Sequence, residues 1–323
     1  MRRIGRMRRK KQKKILIVGS LSLLLFLCVG YAAFSTSLSL KAKGNIKQKI
    51  VTTDDIIKDV VTSGDGLYKD TDNYYYKGDN VDNNILLDNE LWRIISIKND
   101  GTLKVIKEEP LEMNMAWDDG SGSNSCSGNS NFCKGIYWGN ISYYVSDSNK
   151  GEWKGEATLN TYLNNTYYNS LSNEFRNNIV SDNFNIGFYD NLYDWYGRVD
   201  AFTDFQSKKW NGKVGLIDVV EYVKSSTNEK CNTSWMAINS ENVCTGSYLN
   251  IDSTENRRFL WTLNVKFLDE AYYSSFYIRS DGYGIGWNWG NNLEYSVRPV
   301  VYLKPDVKLT GDGTSNSPYK IIS

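Results

Sequence analysis

Paired carboxylates are the first candidates for chemistry in this chain. Glu108/Glu109, Asp118/Asp119, Asp218/Glu221 and Asp269/Glu270 each bring two acids close together along the sequence. Two carboxylates facing each other across about 5–10 Å can serve as acid and base or nucleophile in glycoside hydrolysis. Sequence adjacency does not set that separation, and acids on turns and helix starts are ordinarily solvated. Asp218 in particular reads as a helix N-cap. Another acidic group, Asp70, Asp72, Asp79, Asp82 and Asp88, lies among asparagines in residues 70–89. All-oxygen ligation suits calcium, with Asp72, Asp79 and Asp82 as candidate ligands, although the spacing does not fit an EF-hand loop. Asx turn chemistry is the competing account.

A further candidate surface is aromatic. Tyr283, Trp287, Trp289 and Tyr295 lie among glycines and asparagines in residues 283–295 (YGIGWNWGNNLEY). Such rings stack on sugars or anchor a partner at low entropic cost. The alternative is that Trp287 and Trp289, two apart on a strand, share a core-facing side. The chain has no histidine. That excludes Ser-His-Asp and Cys-His catalysis, HExxH zinc sites and histidine pH switching. Residues 311–314 (GDGT) lack the strand, helix and lysine of a phosphate-binding loop.

These groups need elements to hold them. Residues 83–97 (NNILLDNELWRIISI) alternate around Asp88-Asn89, and Asn99-Asp100-Gly101 turns the chain into 102–107, a hairpin that Trp92 roots in the core. Residues 158–171 place Leu159, Tyr162, Leu163, Tyr167 and Leu171 at helical spacing, and 173–180 reads as a second short helix. Residues 213–217 form a short strand before a helix over 218–224. Strands are predicted at 275–280, 285–289 and 296–303. Arg298, just before Pro299, is expected to make a buried structural bond. Residues 118–134 form a long polar loop.

Nine of the 38 Lys and Arg fall in residues 1–14, where there is no acid, so the other 309 residues carry a net charge of −8. That body is a poor partner for nucleic acid, which demands phosphate neutralisation. The basic block runs into residues 15–34 (ILIVGSLSLLLFLCVGYAAF), twenty uncharged residues that as a helix span about 30 Å, a bilayer's hydrocarbon thickness. The positive-inside rule then keeps the N-terminus cytoplasmic and exports the rest. Small residues at Gly30 and Ala32 also allow cleavage after Ala32, which would release a secreted body. Residues 35–63 read as a stalk, in which 53–61 form a small amphipathic turn capped by Thr52 or Thr53. The globular body is expected from Gly64. Export permits disulfides, and local closure pairs Cys126 with Cys133 and Cys231 with Cys244, each pair in a Ser/Asn/Gly-rich loop.

Several segments in order carry a resemblance: ELWRIISI (90–97), LNTYLNNTYYNSL (159–171), KVGLIDVVEY (213–222), WTL (261–263), YIRSDG (277–282) and SVRPVVYLKPDV (296–307). Residues 74–310 resemble the DUF6273-like group of surface domains of unknown function in gut Firmicutes, and residues 30–46 resemble export segments of low-GC Gram-positive surface proteins. The resemblance implies an α+β body similar to C-type-lectin-like and formylglycine-generating-enzyme-like folds: small mixed sheets, two or three short helices and a final Arg-bearing strand. In lectin-like domains, ligand contacts often lie just before that strand, where residues 283–295 fall. The reactive cysteine pair of formylglycine-generating enzymes has no counterpart after Cys244. The expectation is a membrane-anchored, non-catalytic surface module for an unknown glycan or protein ligand. A carboxylate-dependent glycan-active enzyme and a structural component of a surface fibre are the alternatives.

Overall fold

In the computed structural model, the described residues are 49–71, 73–118, 138, 156–186, 188–189, 209–232, 244–251, 259–269, 272–279, 284–288 and 293–322. They form a mixed α+β body, mostly strands with a few short helices. The basic block, the apolar segment 15–34 and the first part of the expected stalk lie outside them. Among the described residues, no helix is long and apolar enough to cross a membrane.

Residues 49–63 belong to the body, and the compact unit begins at Lys49, not Gly64. Within it Thr53–Ile56 is a helix, shorter than the turn over 53–61 that the sequence predicts, and the Asp55 carboxylate accepts from the Thr52 N–H and hydroxyl at 3.1 and 2.9 Å. Its apolar side chains decide its place. Val51 and Ile56 are buried, Val51 pairs with Leu309, and Val60 bridges to Leu67.

The strands begin with β1 (Gly66–Lys69), β2 (Asn73–Lys77), β3 (Asn84–Leu87), β4 (Glu90–Lys98) and β5 (Leu103–Lys107). Next come β6 (Met115–Ala116), β7 (Ile179–Val180), β8 (Asp182–Asn185), β9 (Phe188–Tyr189), β10 (Lys209–Gly212) and β11 (Val214–Gly215). The last are β12 (Phe259–Asp269), β13 (Tyr272–Arg279), β14 (Gly284–Asn288), β15 (Glu294–Tyr295), β16 (Val300–Leu303), β17 (Leu309–Thr310) and β18 (Tyr319–Ile321). The main sheet runs β11-β16-β5-β4-β3-β18-β17, with β1–β2 joined through β4 and β7 through β16. A second sheet orders β14-β13-β12-β9. Two small ribbons, β10–β8 and β15–β6, stand apart.

Local chemistry explains the central hairpins. Asp88 and Asn89 both take positive φ (50° and 61°), the geometry of a two-residue turn matched to strand twist, and they join β3 to β4. Gly101, at φ 90°, closes the β4–β5 turn where a Cβ would meet Thr53 Oγ1 at 2.7 Å. Trp92 is fully buried, as expected of the root of this hairpin. A register shift between Ile94 and Ser96 lets β4 bury both Ile94 and Ile95, which strict alternation would set on opposite faces.

The helical stretch predicted at 158–171 is present but not uniform. Helical turns at Thr158–Thr161 and Tyr168–Ser170 flank a π-helical segment, Tyr162–Tyr167. Leu159, Leu163, Tyr167 and Leu171 face the core. Asn164 explains how the wider turn is held: its amide donates to Val214 O at 2.8 Å, and its oxygen accepts from Val214 N at 3.0 Å. Ser172 then caps Asn173–Asn178 by accepting from Phe175 N.

Cys231 and Cys244 are joined, as the sequence predicts, and both are fully buried. Cys126 and Cys133 lie outside the described residues. Closing a loop of this size restricts the unfolded chain, so replacing both Cys231 and Cys244 by serine should lower stability by about 2–3 kcal/mol. Urea melts of the two proteins check this. Equal midpoints would show that the bond constrains nothing that folding does not already fix.

Candidate functional site

A cleft of about 530 Å³ opens beside β15, immediately before β16 of the main sheet. One wall is the β6–β15 ribbon, where Glu294 pairs with Ala116 and Tyr295 with Met115. The other is the start of the helical stretch, which contributes Thr158, Thr161, Tyr162, Asn165 and Thr166. Glu156, Met113 and Asn114 complete the lining. The ribbon wall is rigidly held. Trp261 Nε1 donates to Met115 O at 2.8 Å, Trp117 Nε1 donates to Thr262 O at 3.0 Å, and Ser296 Oγ donates to Asn114 Oδ1 at 2.9 Å. The helix wall is tied to the same strand end, since Leu159 N donates to Trp117 O and Thr158 N to Asp118 Oδ1.

The polar side chains of this lining are mostly uncommitted. Among the described residues, Glu156, Thr161, Tyr162, Asn165, Thr166 and Glu294 make no side-chain hydrogen bond or ion pair, and none of the lining residues is basic. Two carboxylates, two hydroxyls, an amide and a phenol thus share one opening with Met113, Met115 and Ala116. The π-helical turn in its wall is a feature found often at functional sites.

Tyr295 does not present its ring to a ligand. It is 9% exposed and packs against Phe259, Trp261 and Tyr277, with ring centroids 5.0, 4.4 and 5.1 Å away. The physical reason is strand alternation: on a two-residue strand one side chain faces the core, and here it is Tyr295, leaving Glu294 outward. Trp287 lies on β14 opposite Phe276 of β13. Tyr283 and Trp289 lie outside the described residues.

Asp79 and Asp82 are exposed, and no group of three potential ligands converges among the described residues. Asp72 lies outside them. Nearby acids serve local structure: Asp65 accepts from Asn80 N, Asp88 accepts from Ser172 N, and Asp70 pairs with Lys224. In the GDGT segment, Asp312 Oδ1 accepts from the Thr314 N–H and hydroxyl, an ordinary Asx turn.

Two networks of charge lie inside the body. Arg298 is 3% exposed; its Nε donates to Lys107 O, its Nη1 to Leu249 O (each 2.8 Å) and its Nη2 to Glu108 Oε2 (3.2 Å). Arg93 stands 3.6 Å from the other Glu108 oxygen and donates to Asn83 Oδ1. Burial pulls the Arg298 pKa down, and the Glu108 charge opposes that shift. These are buried bonds of the kind expected of an arginine just before Pro299.

The second network joins Asp218, Glu221 and Lys104. Asp218 caps the helix Val219–Ser225 by accepting from Glu221 N, and Glu221 reaches back to accept from Asp218 N. Burial first, then the Glu221 charge, pushes the Asp218 carboxyl up to about 7. A carboxyl whose pKa rises on folding binds its proton more tightly in the native state. Its contribution is therefore complete below about pH 4 and is lost as pH rises through about 7. Replacing Asp218 by asparagine, which still caps, should flatten that part of the stability profile. Urea midpoints measured from pH 4 to 8 test this, and parallel profiles for the two proteins would contradict it.

Sequence reasoning missed Glu156, Asn165, Glu294 and Lys104, and gave Tyr162 only to the apolar face of its helix. Thr158, Thr161 and Asn165 recur at three- and four-residue intervals, a polar stripe away from the apolar one that betrayed the helix. No protein-family model, curated protein or solved structure matches the chain.

Proposed function

We propose that the chain is an exported, membrane-anchored surface protein whose body binds a surface glycan, without chemical turnover, in the cleft beside β15. The body is read as lectin-like, akin to the DUF6273-like domains, with its ligand-contacting segment just before β16, the strand that follows Arg298. One observation carries the reading: the cleft's uncommitted side chains are a carbohydrate-type set. Carboxylates and an amide meet the hydroxyls of a sugar, hydroxyls adapt to either role, and Tyr162 and the methionines supply apolar contact.

Glu156 and Glu294 in one cleft also favour the second reading, a glycan-active enzyme. A general acid working near neutral pH must be buried or crowded by a like charge. Both glutamates are exposed, which weighs toward binding.

A glycan array probed with the folded, detergent-solubilised full chain, with and without calcium, is the test. Binding to a defined set of glycans is expected, and its absence from folded protein in both conditions would sink the proposal. Release of new reducing ends from a bound glycan would transfer the site to the enzyme reading.

A further inference from the structure

The cleft beside β15 carries negative charge that nothing in its described lining balances. Glu294 is the outward residue of the two-residue strand β15, because Tyr295 takes the core-facing side. Glu156 stands just before the fully buried Ala157, where the chain enters the helical turn Thr158–Thr161. The two glutamates thus reach one opening from different elements, and both are exposed. Among the described residues, no lysine or arginine lines this cleft. Several acids elsewhere on the body do have a cation beside them: Asp70 has Lys224, Glu90 has Lys107, and Glu108 has both Arg93 and Arg298.

Two carboxylates in one opening repel each other, and a ligand that covers them without a counter-charge leaves them desolvated and unpaired. A uronate or a sulfate would add to the repulsion. A neutral sugar offers hydroxyl donors but no charge. A protonated amine supplies a charge and three donors at once, in the stronger, charge-assisted kind of hydrogen bond. The rest of the lining suits what surrounds an amine on a sugar ring. Thr161, Asn165 and Thr166 can each donate or accept, Tyr162 is an aromatic of the kind that attracts cations, and Met113, 64% exposed, offers apolar contact. A bare calcium ion is a poorer match. It takes about six to eight oxygens, and among the described residues no third acid joins these two.

We propose that the cleft selects glycans bearing free amines, hexosamines without their N-acetyl group, through Glu156 and Glu294. The inference rests on the reading of this cleft as the glycan site and adds the charge of the ligand to it. The amine lies between the two carboxylates, and the sugar hydroxyls meet Thr161, Asn165 and Thr166. Acetylation turns the amine into a neutral amide with one donor, so the acetylated form of the same polymer is a poor ligand.

Isothermal titration of the folded, detergent-solubilised full chain tests this, using equal-length oligomers of glucosamine and of N-acetylglucosamine at pH 6, where the amine is protonated. The glucosamine oligomer should bind at least about tenfold more tightly, by a margin that shrinks as salt is added. Glu156→Gln with Glu294→Gln should erase the margin while the urea midpoint stays in place. A margin that survives in this double variant would overturn the assignment to the two glutamates. Because the body carries a net charge of −8, a control removes the same charge elsewhere: Asp59→Asn with Asp306→Asn, both exposed and outside the cleft, should keep the margin. Its loss there as well would make net charge the cause and overturn the role of the cleft. Equal affinities for the two oligomers would overturn the amine assignment and leave the glycan reading standing. So would binding of the acetylated oligomer only with calcium, or failure to bind either oligomer by a chain that binds another glycan. A folded chain that binds no glycan at all would sink both.

Discussion

Replacing Arg298 by alanine should destabilise the body by about 3–5 kcal/mol, the cost of breaking a buried ion pair from one side. The loss has three parts. The carbonyls of Lys107 and Leu249 each lose a donor at 2.8 Å, and Glu108 keeps only Arg93, 3.6 Å away. Lysine at this position retains the charge but not the fork that reaches three acceptors on separate segments, so Arg298→Lys should recover only part of the loss. Urea unfolding measures both, with the midpoint moving and the slope unchanged if the unfolded state is unaffected. A loss below about 1 kcal/mol would remove Arg298 from the structural frame. So would an intact fold that has lost its ligand.

Trp92→Ala should cost a similar amount, about 3–5 kcal/mol, for a different reason. The ring is fully buried and meets Phe175 edge-on, with centroids 5.3 Å apart. It therefore fastens the β3–β4–β5 layer to the short helix Asn173–Asn178. The cavity left behind is lined by side chains from both elements, neither of which can move inward without disturbing its own hydrogen bonds. Trp92→Phe keeps most of the packing and should cost far less. The buried Nε1 has no hydrogen-bond partner among the described residues, so phenylalanine removes no bond with it. If the two substitutions proved equally damaging, packing would not be what Trp92 supplies.

Both effects were legible in the sequence because they follow from local pattern. Trp92 stands in an alternating run bounded by turn residues, and Arg298 stands in an apolar strand start where a cation needs partners. Asp218 was legible too, since an acid three residues before another acid at a helix start makes a reciprocal cap. The misreadings come from interactions that no short pattern encodes. Tyr295 looked like a binding ring because its neighbours are glycine and asparagine. It is core because Phe259, Trp261 and Tyr277, distant in sequence, converge on it. Residues 49–63 looked like a stalk because their partners, Leu67 and Leu309, lie on other strands. Lys104 is a polar residue on a strand buried along its whole length, and its partner Glu221 is 117 residues away. The cleft arises where a polar helix stripe meets the outward residue of a two-residue strand. Each half is visible in the sequence, but their meeting is not.

Placing ligand contact at the cleft leads to one decisive comparison. Glu294 and Asn165 line it from opposite walls and are both exposed, so Glu294→Gln with Asn165→Ala should leave the unfolding midpoint within about 0.5 kcal/mol of the parent. Charge-assisted bonds to a sugar are worth about 1.5–3 kcal/mol, so the same double variant should bind an array-positive glycan at least about tenfold more weakly. Isothermal titration of that glycan into the parent and the double variant is the measurement. A tenfold or greater loss with unchanged stability is the predicted result, and equal affinities would contradict the assignment of the ligand to this cleft.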